Sequence, residues 1–188
     1  MKVLHVIPDL SPLSGGPVNA LRGMAQAQAS AGHEVAVVST ALGYQAWDES
    51  PRLSVRVFPC KDLSWHKSRA LEEALPSFIK ACDIAHLHGV WDFPILAAAS
   101  ACGKFGKPFI VRPCGMLDRW SMSQSAFKKN IYLELFGGTL LEDAAALLER
   151  RGRRDPEPER SAARRPVRQR ASDREPDRGS MGYGLRAD

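Results

Sequence analysis

The chain has 188 residues, room for one domain of ordinary size with or without a tail, and its 44% hydrophobic content is usual for a globular protein. The net charge of +5 is unevenly placed: residues 1–149 hold 14 basic and 14 acidic side chains, and residues 150–188 hold 12 Arg, no Lys and 7 acidic ones, so the high pI describes the tail and not the body. No apolar run is long enough to span a bilayer, no signal peptide is legible, and Cys60, Cys82, Cys102 and Cys114 form no CxxC pair, which argues against a zinc site or a disulfide framework and for reduced thiols.

Residues 3–7 (VLHVI) form a nearly continuous apolar run bounded by Pro8, the pattern of a parallel strand covered on both faces. A loop with Gly15 and Gly16 follows, and Pro17 fits the first turn of a helix. Ala20, Leu21, Met24, Ala27 and Gln28 recur at helical spacing, and Gly32 is the stop signal. Residues 35–38 (VAVV) read as a second buried strand, which completes a βαβ unit. The glycine pair has two readings. Backbone without Cβ at a helix N-terminus suits an anion such as a phosphate, and it equally makes a tight strand-to-helix turn; spacing alone leans to the turn.

Residues 41–51 read as a loop with Tyr44, Trp47, Asp48 and Glu49, and residues 53–58 as a half-exposed strand. Residues 68–82 place Leu71, Ala74, Leu75, Phe78 and Ile79 on one helical face, with Pro76 marking a kink or a split. Residues 83–88 (DIAHLH) form a strand ending at Gly89, residues 95–105 an alanine-rich helix, and residues 108–112 (PFIVR) another strand that runs into the loop PCGMLDRW. Residues 126–148 are expected to be one long helix, bent at Gly137 and Gly138.

The order β-α-β-β-α-β-α-β-α predicts an α/β fold, a single Rossmann-like domain with a mostly parallel sheet over residues 1–148. Ligands in such sheets bind beyond the carboxyl ends of the strands, an edge that here collects residues 14–16, 39–40, 88–91 and 113–117. Residues 149–188 lack apolar periodicity and are predicted to be a disordered Arg-rich tail. The all-Arg, Pro/Ala/Asp-rich composition ranks an out-of-frame C-terminus first, plain disorder second and nucleic-acid binding a distant third.

Neither a GxGxxG fingerprint nor a Walker A loop is present: the glycine loop reads SGGPVN, and the second strand ends in Ser39–Thr40 where a ribose-binding acid would be wanted. The ordered set MKVLHVIPDLSPLSGGPVNAL, AGHEVAVVST, DIAHLHGVWDFPILAA, GKPFIVRPCGMLDRW and KKNIYLELFGGTLLEDAAAL resembles the N-terminal domain of the family-4 retaining glycosyltransferases of the GT-B fold, nearest the subgroup that builds bacterial surface polysaccharide and lipopolysaccharide.

The resemblance implies the following roles. Gly15 and Gly16 form the loop facing the cleft near the donor diphosphate, and His88 matches the histidine of the HxHG motif beside the transferred sugar. Arg112, Gly115 and Met116 belong to the Pro-x-Gly-Met-Leu loop on the acceptor side. Trp91 and Trp120 are either sugar-stacking or packing residues. Lys128 and Lys129 form a basic pair, either a solvated helix face or a contact with an anionic acceptor or membrane surface. His88 also reads as a satisfied strand-end histidine, and His86 as a core one.

The implied activity is transfer of a sugar from a nucleotide sugar to a glycan or lipid-linked acceptor, with no metal and no cofactor, in the cytoplasm at the inner membrane face, and with no specific nucleic acid as partner. The matching stops near Leu148, ahead of the Glu-x7-Glu half that would bind the donor. The rival expectation is therefore an inactive truncated fragment, or a module needing a partner donor domain.

Overall fold

The computed structural model describes residues 1–11, 14–41, 47, 50–60, 65–124 and 126–147, without the side chains of 41, 128 and 136–139. The expectations for the tail, for Tyr44, Asp48, Glu49 and Leu148, and for the Lys128 side chain lie outside them. All described residues fall in one compact unit, Met1–Arg151.

The chain runs β1 (Lys2–Asp9), α1 (Gly16–Ser30), β2 (Glu34–Ala41), β3 (Leu53–Pro59), α2 (Arg69–Ala81), β4 (Ile84–His88), α3 (Phe93–Phe105), β5 (Phe109–Arg112), α4 (Arg119–Ser123), α5 (Ala126–Gly137) and β6 (Ala146–Leu147). The six strands form one parallel sheet in the order β3-β2-β1-β4-β5-β6. The predicted doubly wound α/β architecture is thus observed. Period-two alternation splits the core into two layers. Leu4, Val6, Val38, Ala85, Leu87, Phe109 and Val111 face α2 and α3, whereas Ile7, Val35, Val37, Leu53 and Val55 pack with Val18, Leu21 and Ala25 of α1.

Two expectations about helices are corrected. The helix is not split at Pro76: α2 runs on through it. Its buried stripe of Leu71, Leu75 and Ile79, and the Ser68 hydroxyl that accepts from the Leu71 amide at 3.2 Å, hold the helix despite the missing donor. The last segment is not one helix to residue 148: α5 stops at Gly137, a π-helical turn spans Gly138–Glu142, and Ala146–Leu147 adds a sixth strand beside Ile110 and Val111. Two adjacent glycines weaken the helix where the buried Leu140 must reach the α2–α3 layer, so the chain turns back to the sheet. Among the described residues no helix is long and apolar enough to cross a membrane.

Candidate functional site

The carboxyl edge of the sheet carries a cleft of about 270 Å³. Ile7, Pro8 and Asp9 enter it from the end of β1, Ser14 and Pro17 from the start of α1, His66 from the turn before α2, His88 and Asp92 from the end of β4 and the turn after it, and Cys114 and Met116 from the loop after β5. A hollow of about 310 Å³ at the opposite edge is lined by Lys2, Glu34, Arg52 and Phe78, but in open parallel sheets ligand chemistry belongs to the carboxyl ends.

The backbone around the cleft departs from the ordinary regions. The two non-glycine residues with positive φ among the described ones, His66 (φ 52) and Cys114 (φ 57), both line it. Such conformations cost free energy and collect at functional sites. Gly15, at φ 59 and ψ −125, caps α1 in a conformation closed to residues with a Cβ, and the helix begins with no side-chain cap and no acidic residue in its first turn.

Two carboxylates shape the cleft's electrostatics. Burial pushes Asp9 up, but the Ser14 hydroxyl donating at 2.7 Å, the Ser11 amide at 2.9 Å and the nearby His66 outweigh it and hold the carboxyl below its usual range. Asp92 occupies the N-cap position of α3 yet makes no side-chain cap bond. Its carboxylate instead meets His66 Nδ1 at 2.9 Å, with both side chains mostly buried. Among the described residues no Lys or Arg lines the cleft.

Behind the cleft lies a row of histidines on the α1 face. β1 and β4 pair His5 with His86, and β4 and β5 pair His88 with Arg112. His5 Nε2 lies 2.7 Å from Gln28 Oε1 of α1, and His5 Nδ1 lies 3.0 Å from His88 Nε2. The His86 and His88 rings stack with centroids 4.3 Å apart. All three are buried. Desolvation, with the positive Arg112 and neighbouring imidazoles adding to it, pushes His86 down to about 4 and His88 well below its ordinary value. Desolvation also lowers His5, partly opposed by Gln28. The three offer nitrogens within 4.8 Å of one another. As a metal centre they fit poorly, because His5 and His88 spend a nitrogen each on the other and the neighbouring positive charge of Arg112 opposes a cation.

The predicted site residues come together in part. His88 and Met116 line the cleft, and Gly15–Gly16 sit on its rim between Ser14 and Pro17. Met116 also closes over Gly89, its Cε 3.7 Å from where a Cβ would stand. Arg112 is half-buried beside His88, and Gly115 makes the turn at φ 82. Trp91 lies outside the cleft lining, with Tyr132 edge-on at 5.3 Å and Lys129 Nζ 5.4 Å above its ring. Lys129 also donates to the Ser121 carbonyl, and Trp120 is exposed. Ser39 and Thr40, expected at the ligand edge, are fully buried, the Thr40 hydroxyl donating to the Pro8 carbonyl at 2.6 Å. Asp9, His66 and Asp92 are the cleft residues that sequence reasoning missed; Asp9 ends β1, and His66 and Asp92 sit on turns that carry no motif.

The sequence matches the model of the glycosyl transferase 4-like domain over residues 15–149, and the chain belongs to that family. No curated protein sequence matches it. Among solved structures it is similar to a 2.2 Å crystal structure assigned as a UDP-N-acetylglucosamine 2-epimerase from Listeria monocytogenes, at 19% identity and a TM-score of 0.50 over 79% of this chain. The chain spans 38% of the length of that structure. The shared feature is the fold, a Rossmann-like domain of the kind that makes up part of a GT-B protein.

Proposed function

We propose that this domain is the acceptor-side half of a retaining glycosyltransferase that transfers a sugar from a nucleotide sugar to a glycan or lipid-linked acceptor of a cell-surface polysaccharide. The observation that carries the reading is the chemistry of the cleft: two carboxylates, a serine hydroxyl and two imidazoles, with no Lys or Arg among the described lining residues, in a member of the glycosyl transferase 4-like family. Carboxylates and imidazoles hydrogen-bond sugar hydroxyls well, whereas the two carboxylates repel a diphosphate. The diphosphate therefore sits at the rim, against Gly15–Gly16 and the start of α1, and is neutralised by a second Rossmann-like domain.

In the transfer the acceptor oxygen bonds to the anomeric carbon, the bond from that carbon to the diphosphate breaks, and the hydroxyl proton leaves with the departing phosphate oxygen. Asp9 and the His66–Asp92 pair hold the acceptor's other hydroxyls, and His88 holds the sugar near the reacting carbon. Work at a membrane surface belongs to the same reading. A second reading is a domain inactive until a partner supplies the donor half.

Both are tested by titrating the ¹⁵N-labelled chain with neutral oligosaccharides, nucleoside diphosphates and nucleotide sugars. Oligosaccharides are expected to shift the amides of Asp9, His88 and Asp92, and nucleoside diphosphates those of Gly15 and Gly16. Diphosphates perturbing the cleft while no sugar does would overturn the acceptor assignment. Transfer by the chain alone would rule out the partner-dependent reading.

A further inference from the structure

The histidine row contains a chain of dependencies that ends in the cleft. Burial keeps His5, His86 and His88 neutral at pH 7, so each ring carries one N–H and one lone pair. Across the 3.0 Å contact between His5 Nδ1 and His88 Nε2 only one of the two nitrogens holds a proton. The Gln28 amide oxygen, 2.7 Å from His5 Nε2, accepts and therefore places the His5 proton on Nε2. His5 Nδ1 is then a lone pair, His88 Nε2 carries the proton, and His88 Nδ1 is left as a lone pair. That Nδ1 is buried and has no hydrogen-bond partner among the described residues, and His88 lines the cleft. A positive Arg112 next to His88 on the neighbouring strand favours a lone pair over a second N–H there.

We propose that Gln28, acting through His5, is the positioning residue that fixes His88 as its Nε2–H tautomer, so that His88 Nδ1 accepts a hydrogen bond from a hydroxyl of the sugar bound in the cleft. The identity of the ligand rests on the function proposed above; the tautomer does not. Gln28 lies on α1, outside the cleft lining, and touches neither sugar nor reacting atoms. Rotating its amide by half a turn would reverse every donor in the row and present an N–H at Nδ1 instead.

The test is two-bond ¹H–¹⁵N correlation on the full chain labelled in histidine, at pH 7.5, with and without a neutral oligosaccharide. His5 and His88 are both expected as Nε2–H tautomers. The Gln28→Glu variant, whose carboxylate only accepts, keeps them, and Gln28→Leu gives mixed tautomers at both rings with about tenfold weaker sugar binding. His88 found as Nδ1–H in the unmodified chain, or unchanged in Gln28→Leu, overturns the proposal. If Gln28→Leu does not fold, the spectrum of the unmodified chain and of Gln28→Glu still decides it. The expected tautomers with no response of His88 Nδ1 to any sugar sustain the positioning role and overturn the glycan reading by itself.

Discussion

The buried histidines give the domain an acid limit that can be worked out from one residue. His86 is pushed from 6.5 down to about 4, mainly by burial and further by His5 and Arg112. In the unfolded chain the same ring takes a proton near its ordinary value. Above about pH 7 neither state is protonated there, and the group has no effect on stability. Between 6.5 and about 4 the unfolded state binds the extra proton, so stability falls as the pH falls. Each histidine in this condition sets a slope of about 1.4 kcal/mol per pH unit, and His86 alone contributes a loss of about 3 kcal/mol across its window. His5 and His88 shift in the same direction and steepen the dependence further. Urea unfolding followed by circular dichroism at pH 7.5, 6.5, 5.5 and 4.5 reads this directly. The His86→Leu variant is expected to show a visibly shallower slope over the same range. A midpoint that stays level from pH 7 to 5, or a variant as steep as the parent, would refute the reasoning. Asp9 works in a different window: its lowered carboxyl contributes stability above 3.8 that is lost only in stronger acid.

Adjacent glycines are expected to respond with opposite signs. Gly15→Ala meets no atom within 4 Å but inherits φ 59, and costs about 1–2 kcal/mol in urea unfolding, whereas Gly16→Ala, helical and in open space, is neutral or stabilising by up to about 1 kcal/mol. Gly16→Ala also weakens diphosphate binding at the rim, which calorimetry would register as a lower affinity without a lower midpoint. In the core, Leu21→Ala beneath α1 should cost about 3–5 kcal/mol by denaturant unfolding, whereas Leu135→Ala, two-thirds exposed on α5, should stay within about 0.5 kcal/mol. Phe127, Ile131 and Leu135 recur at four-residue spacing and are exposed on α5. A second copy of the chain is expected to cover this stripe, giving concentration-dependent sedimentation that Phe127→Ser with Leu135→Ser abolishes.

What the sequence made legible were features that one segment encodes by itself. The apolar runs of β1 and β2, the Gly15–Gly16 turn into α1 and the amphipathic stripe of α2 each carry a local period, and the structure has them within three residues of the expected bounds. Pro76 misled because propensity is a local quantity, whereas α2 is held by a buried face. β6 escaped because two residues have no period to read. The site was legible only where a motif named it. Nothing in local spacing shows that His5 and His88, 83 residues apart, share a hydrogen bond, since that depends on which strands are neighbours and in which register. His66 and Asp92, on separate turns, meet only after α2 and α3 have packed, so no pattern in either segment announces the pair.

The polar row across β1, β4 and β5 also guards the folding of the sheet. Parallel strands joined by helices must find their alignment from sequences that are otherwise near-interchangeable runs of Val, Ile, Leu and Ala. A slip of one residue in β4 would swing His86 and His88 into the apolar layer beneath α2 and α3 and would bring Ala85 and Leu87 out against Gln28 and Arg112. The misplaced His88 would lose its hydrogen bond to His5 in a layer that offers none, a penalty of about 1–3 kcal/mol. The side chains that lie at and behind the cleft therefore act as a spelling check on the sheet. Replacing all of them by aliphatic residues would leave the native state stable while making its alternatives nearly as good.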